Sequence, residues 1–301
     1  MTQRKTAVIG VASGYGAGNR ECQDGPEVLH ILGFLKDLER TGNDFRWDET
    51  IRLPQNPEPE PEPLQAVRDI AQRLAISVAN HLATGDFPLV IGGDHSCAIG
   101  TWSGVRAHIN ATAGSDARLG LIWIDAHMDS HTPHTSPSQN IHGMPLACLL
   151  GHGDPQLTEI ASASPKLRPD DVCLIGVRSF EWGEAALLRT LGVRVYFMEE
   201  VHRRGMRAVL DEAHSHVSHA TVGYGISIDL DALDPLEQPG VGTPVPNGLL
   251  RAEVSEALAS LQSDPLLLAL EIVEYNPSRD LHFTTAQAVH DLCQALILDR
   301  G

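Results

Sequence analysis

Short, almost uniformly apolar runs recur along this chain and limit its fold more than any other feature. They read TAVIGV at 6–11, FPLVIGG at 87–93, LGLIWID at 119–125, VCLIGV at 172–177, VRVYFM at 193–198, GISIDL at 225–230 and LLALEIV at 267–273. A strand with one wet face alternates apolar and polar residues, whereas strands this apolar are covered on both faces, as in parallel sheets. Between them lie segments with helical spacing, at 63–84, 181–191, 199–216, 249–262 and 283–298. Strand and helix alternate, which predicts an α/β fold, a three-layer, doubly wound parallel sheet. No internal repeat or boundary divides the chain, so residues 1–301 are expected to form a single domain. QNPEPEPEPLQ at 55–65 stands apart: proline at every second position forbids helix and predicts a stiff, solvated surface loop.

Composition narrows the class of partner. With 39 acidic against 22 basic residues the formal net charge is -17, which opposes binding to nucleic acid. No apolar run reaches the length of a membrane span, and MTQRKTAVIGVASG lacks the long apolar stretch of a signal peptide. The five cysteines include no C-x-x-C pair. A cytoplasmic protein without membrane contact is expected.

In open α/β sheets ligands gather outside the carboxyl ends of the strands. There the apolar runs give way to Asp94 and His95, to Asp125, His127 and Asp129, to Asp229, Asp231 and Asp234, and to Glu271 and Glu274. The side-chain period of two puts Asp125, His127 and Asp129 on one face of an extended segment, and likewise Asp229 and Asp231. Any one of these residues alone would read as a helix cap or a solvated turn. As a set they repel unless cations neutralise them, and the four aspartates 125, 129, 229 and 231 balance two divalent ions. His95 and His127 complete a nitrogen and oxygen donor set without thiolate, which favours Mn²⁺.

GGDHS at 92–96, DAHMD at 125–129 and SIDLDALDP at 227–235 resemble, in order and spacing, the signature motifs of the ureohydrolases, the arginase and agmatinase family. GVGTPVPNGL at 240–249 resembles a further loop of that family, and the likeness runs from DGPEVL near residue 24 to EYNP near residue 275. The resemblance implies an arginase-like fold and two manganese ions held by His95, Asp125, His127, Asp129, Asp229 and Asp231, with Asp125 and Asp229 bridging. It implies attack of metal-bridging hydroxide on a guanidinium carbon, with release of an amine and urea. His142, in NIHGMP, matches the family's proton-transfer histidine, because the leaving amine needs a proton. Glu274 matches the glutamate that pairs with the guanidinium through two parallel hydrogen bonds. Asp129 is counted with His142 and Glu274 as a catalytic residue, and Thr243, in the GVGTPVPNGL loop, as a substrate contact.

SHTPHTSPSQNIHGMP at 130–145 resembles the arginase form of its loop, with Ser138 and Asn140 at positions that bind the substrate carboxylate. The implied reaction is hydrolysis of L-arginine to L-ornithine and urea. Departures remain. His131 stands where arginases usually carry asparagine, Glu181 where they carry the aspartate that meets the substrate ammonium, and Ser179 where they carry another aspartate. Asn247-Gly248 replaces a glycine pair, which asparagine tolerates if its φ is positive. These departures keep N-hydroxyarginine, agmatine, guanidinobutyrate and formiminoglutamate open as substrates, although the Ser138 and Asn140 loop argues against agmatine and guanidinobutyrate. A zinc deacetylase of similar fold and a metal-binding protein without catalysis are more distant readings. By analogy alone, a homotrimer or homohexamer is expected.

Three further signals carry less. GYGAGN at 14–19 lacks the final glycine of a dinucleotide fingerprint and reads as a loop at the site's edge. His214, His216 and His219 read as a solvated helix end, and Cys97 as a small buried packing residue.

Overall fold

The computed structural model describes residues 5–36, 38, 44–54 and 59–297. Part of the proline-rich loop, 55–58, lies outside the described residues. Pro59 to Glu62 have no regular structure, and Pro63 then opens a helix at its first turn, where the missing N–H costs nothing.

Eight strands form one sheet in the order β2-β1-β3-β8-β7-β4-β5-β6, and every pairing is parallel. They are β1 (Thr6–Val11), β2 (Phe45–Ile51), β3 (Phe87–Gly92), β4 (Leu119–Ile124), β5 (Val172–Val177), β6 (Arg194–Phe197), β7 (Gly223–Asp229) and β8 (Leu267–Val273). Every residue of β1, β3, β4, β5 and β7 is buried, as their unbroken apolar composition requires.

Helices cover both faces. On one, Ile122, Ile124, Ile226, Ile228 and Leu270 pack against the helices Met206–Ser218, Arg251–Leu258 and Thr284–Ile297. On the other, Leu121, Trp123, Val90 and Leu174 pack against Pro63–Thr84 and Cys97–Ala113. The last two helices cross closely: a Cβ at Gly104 would lie 2.6 Å from the Ala75 carbonyl oxygen.

The sequence reading placed strands and helices well but differs in detail. The segment 199–216 is two helices, Met198–Arg204 and Met206–Ser218, separated at Gly205, whose φ is 83°. Strand β2 was not read as a strand, because FRWDETI carries its charges on an edge with little to bury. Among the described residues no helix is long and apolar enough to cross a membrane.

The order of strands explains where a site can form. After β3 the chain crosses past the places later filled by β8 and β7 before laying down β4. The carboxyl ends of β3, β8, β7 and β4 are therefore neighbours, although the residues they carry are up to 180 positions apart.

Candidate metal centre and active site

Each of those four strand ends delivers chemistry. His95 follows β3, Asp125, His127 and Asp129 follow β4, Asp229 ends β7 and leads to Asp231, and Glu274 follows β8. Two clusters result. His95, Asp125, Asp129 and Asp229 bring ligand atoms within 4.8 Å of one another, and so do Asp125, His127 and Asp231. Asp125 belongs to both.

The geometry around His95 tests whether this is a cation site. Its Nδ1 is a buried atom without a hydrogen-bond partner, yet it lies 2.9 Å from Asp129 Oδ2, 3.1 Å from Asp229 Oδ2 and 3.4 Å from Asp125 Oδ2. On the other side of the ring, Nε2 lies 3.0 Å from Ser227 Oγ, which donates to Glu271 Oε2 at 2.8 Å. Ser227 is then the acceptor for Nε2–H, so that His95, once neutral, aims the Nδ1 lone pair among three carboxylate oxygens. Such an arrangement suits a divalent ion. His127 Nδ1 stands 3.1 Å from Asp231 Oδ2 in the second cluster.

The remaining lone pairs are held by the chain. Asp125 accepts from Trp123 Nε1 at 2.8 Å and from the His127 N–H at 2.7 Å, while Asp229 accepts from the Asp231 N–H at 2.9 Å. Asp231 Oδ2 accepts from Thr243 Oγ1 at 2.7 Å. The His95 ring stacks on Trp123, centroids 4.2 Å apart. Burial, followed by the charges of Asp231 and Asp125, pushes Asp229 well above the usual carboxylate range. Burial and then Asp125 lift Asp129 to about 6. Burial opposes charge on His127, but Asp231 and Asp125 outweigh it and raise the imidazole strongly. Protons thus occupy part of the place that cations would take.

Beside the cluster, Glu274 Oε1 accepts from the His95 N–H at 2.9 Å and lies 3.0 Å from His142 Nδ1. Burial works against charge on His142, yet Glu274 raises it to about 10. Glu274 itself has a φ of 66° and Asp129 one of 45°, unusual backbone for residues with side chains. The glycine loop 14–19 closes this side: Gly16 donates its N–H to Asp94 at 2.9 Å and accepts from the His142 N–H at 3.0 Å. A Cβ at Gly16 would sit 2.5 Å from Asp94, so only glycine fits.

Ser138 is exposed and Asn140 half-buried, the Asn140 N–H donating to Ser138 Oγ at 3.2 Å. His131 and Glu181 meet at 2.9 Å on the β4–β5 side, with Glu184 nearby. Asn247 has a φ of 63°, as the exchange for glycine demanded. Of the set-aside histidines, His214 pairs with Asp264 at 2.7 Å, and among the described residues no cation-binding group includes His214, His216 or His219. Cys97 is buried.

Four neighbours escaped the sequence reading or were given no role in it. Ser227 and Glu271 lie opposite each other in the β7–β8 register, fully buried; an acidic residue inside an apolar strand was the available signal. Cys22 Sγ donates to Glu274 Oε2 at 3.1 Å, and Glu184 joins the His131 cluster; neither is foreshadowed by any motif.

Comparison with known proteins agrees with this geometry. A family model described as the Arginase family matches residues 4–298. An arginase of Bacillus caldovelox is 41% identical over 296 residues, covering 96% of this chain and 97% of the relative. An arginase of Brevibacillus brevis is 39% identical over 301 residues, covering 99% of each. The crystal structure of arginase from Bacillus subtilis superposes with a TM-score of 0.90 at 35% identity, covering 99% of both chains.

Proposed function

This chain belongs to the arginase family, and from that premise we infer that it hydrolyses L-arginine to L-ornithine and urea. The observation that carries this reading is the pair of His and Asp clusters sharing Asp125, set beside the His142–Glu274 pair.

The donor set, imidazole and carboxylate without thiolate, supports two manganese ions per chain. His95, Asp125, Asp129 and Asp229 would hold one, and Asp125, His127 and Asp231 the other. When bound, such ions supply Lewis acidity and lower the pKa of water toward neutrality.

The chain's own groups do the rest. Glu274 is fixed by the His95 N–H and by Cys22, so its carboxylate meets a guanidinium in one orientation. Asp129, whose Oδ2 lies 2.9 Å from His95 Nδ1, would hold the reacting water by accepting its hydrogen. His142 carries a proton at neutral pH and gives it to the amine nitrogen as the carbon–nitrogen bond breaks. Thr243 steadies Asp231, and Ser138 and Asn140 offer hydrogen bonds to the substrate carboxylate. The family also supports a homotrimer or homohexamer, and five buried, unpaired cysteines suit the reducing cytoplasm.

The test is urea release by manganese-loaded protein from L-arginine, agmatine, guanidinobutyrate and N-hydroxyarginine, with an EDTA-stripped control. Metal-dependent urea from L-arginine at the highest kcat/KM is the expected result. Urea from another guanidine alone would overturn the substrate, and urea from none would overturn the reaction.

A further inference from the structure

Arg178 directly follows β5, and six hydrogen bonds from its guanidinium end on backbone carbonyls. Nη2 donates to the Asp231 carbonyl at 2.8 Å and to that of Leu233 at 3.4 Å, and Nη1 donates to that of Ala232 at 3.2 Å. These three consecutive carbonyls belong to the short turn that follows β7, and the end of such a turn leaves carbonyls in need of donors. Nη2 and Nε reach on to the carbonyls of Val245 and Pro246, at 2.8 and 3.1 Å. The same loop carries Thr243, whose Oγ1 donates to Asp231 Oδ2. One side chain thus ties the backbone of Asp231 to the loop that steadies its carboxylate.

The other half of the cluster is held by the main chain of the same residue. The Arg178 N–H donates to the Ala126 carbonyl at 2.9 Å, and the Asp125 N–H donates to the Ile175 carbonyl at 3.0 Å. Ala126 lies between Asp125 and His127, and its own N–H faces Asp231 Oδ1 at 3.4 Å. Asp125, His127 and Asp231, drawn from two strand ends, are therefore joined across one arginine. Lysine cannot replace this device, because an ammonium is a compact point charge with three donors. The planar guanidinium spans five donors in a fixed fork. Two effects oppose each other here: a fixed positive charge repels a divalent ion, while a rigid frame spares the ion the cost of ordering its ligands. Carbonyl oxygens surround the guanidinium and offset its charge, so order outweighs repulsion.

We propose that Arg178 is a positioning residue for the cation site formed by Asp125, His127 and Asp231, its fork setting Asp231 for metal binding. The inference rests on the two-ion reading above and adds the residue that gives this second site its shape. The first site, built on His95, shares only Asp125 with it, and no side-chain substitution at position 178 removes the main-chain bond of Asp125. Each site is therefore a control for the other.

Mn²⁺ affinity at both sites is measured by calorimetric titration of the metal-free full-length protein, for wild type, Arg178→Lys and Arg178→Met, with thermal melting as the check on folding. Asp231→Ala, which keeps only the first site, identifies which affinity belongs to which. Arg178→Met is expected to weaken the second ion about 10–100-fold, the usual effect of losing a ligand's supporting partner, and to leave the first unchanged. Arg178→Lys keeps the charge but not the fork, so it should show most of the same loss. Its retained stem and charge also carry the test should Arg178→Met not fold. A second ion held by Arg178→Lys as tightly as by wild type would overturn the proposal, because charge alone would then suffice. Tighter binding in Arg178→Met would overturn it too, since repulsion would outweigh order. Equal weakening of both ions would reduce Arg178 to a general structural role. A wild-type protein that binds a single ion would instead strike the two-ion reading, and the inference with it.

Discussion

His95 and Ser227 stand 3.0 Å apart through Nε2 and Oγ, and this contact turns the other ring nitrogen toward the aspartate cluster. Ser227 donates its own proton to Glu271, so it can only accept from the imidazole. Thr101 Oγ1 donates to the other oxygen of Glu271. A fully buried acid therefore sets the tautomer of the candidate ligand His95 through Ser227.

Breaking that chain should loosen one ion. Ser227→Ala leaves Nε2–H without an acceptor, and Glu271→Gln replaces a carboxylate by an amide that competes as donor. Each is expected to weaken metal binding roughly 10–100-fold, the usual effect of a ligand's supporting partner. Dialysis against graded EDTA with metal analysis should show one ion lost early and the other retained. Equal affinity of both sites in wild type and variants would remove the relay from the account.

His142→Ala is expected to lower kcat by about 10²–10⁴-fold, the range for a lost general acid. Both ions should stay, since His142 belongs to neither cluster. In wild type, kcat/KM should fall as pH rises through about 10, where the imidazole loses its proton, and the variant should lack that limb. Stability follows the same groups. His142 is raised from 6.5, so its contribution is complete below about 6.5 and lost as pH rises through about 10. Glu274 is held below 4.5 by His142 against burial, so its contribution is present above 4.5 and lost as pH falls through the lowered value.

Loading the metal-free protein should release protons at pH 7. Burial and then Asp231 and Asp125 raise Asp229. Burial opposes charge on His95 and His127, but the surrounding aspartates outweigh it and raise both. Each of the three must shed its proton to act as a ligand. Calorimetric titration with Mn²⁺ in two buffers of different ionisation enthalpy reads the number directly. A heat independent of buffer would contradict the assignment. The loaded protein should also melt higher, by about 2.7 kcal/mol of stability at a free ion concentration a hundredfold above Kd.

How much of this was readable in the residues depends on distance along the chain. The strands announced themselves because burial on both faces leaves only apolar residues, and the clustered aspartates because carboxylates at strand ends are costly without cations. The edge strand β2 did not, since an edge has little to bury, and only its two end residues, Phe45 and Ile51, are buried. Contacts between distant loops were equally silent: Cys22 to Glu274 spans 252 positions and His131 to Glu181 spans 50. No local pattern encodes such a meeting; the strand order creates it. Asn247 shows the opposite case, a local rule that a positive φ satisfies.

Asp125 and Asp231 give the last test, because the clusters overlap at one of them only. Asp231 serves with Asp125 and His127, while His95, Asp129 and Asp229 form the rest of the other cluster. Asp231→Ala should therefore retain one ion per chain and lose most activity. It also frees Thr243 Oγ1, whose partner it is, but leaves the first cluster's four ligands in place. Asp125→Ala removes a ligand from both clusters and leaves the Trp123 N–H and the His127 N–H without their acceptor. It should lose both ions on dialysis and unfold at lower temperature than Asp231→Ala, because buried donors left unpaired cost about 1–3 kcal/mol each. Metal analysis of the two variants under the same dialysis separates them. Equal retention would mean that Asp125 does not join the sites.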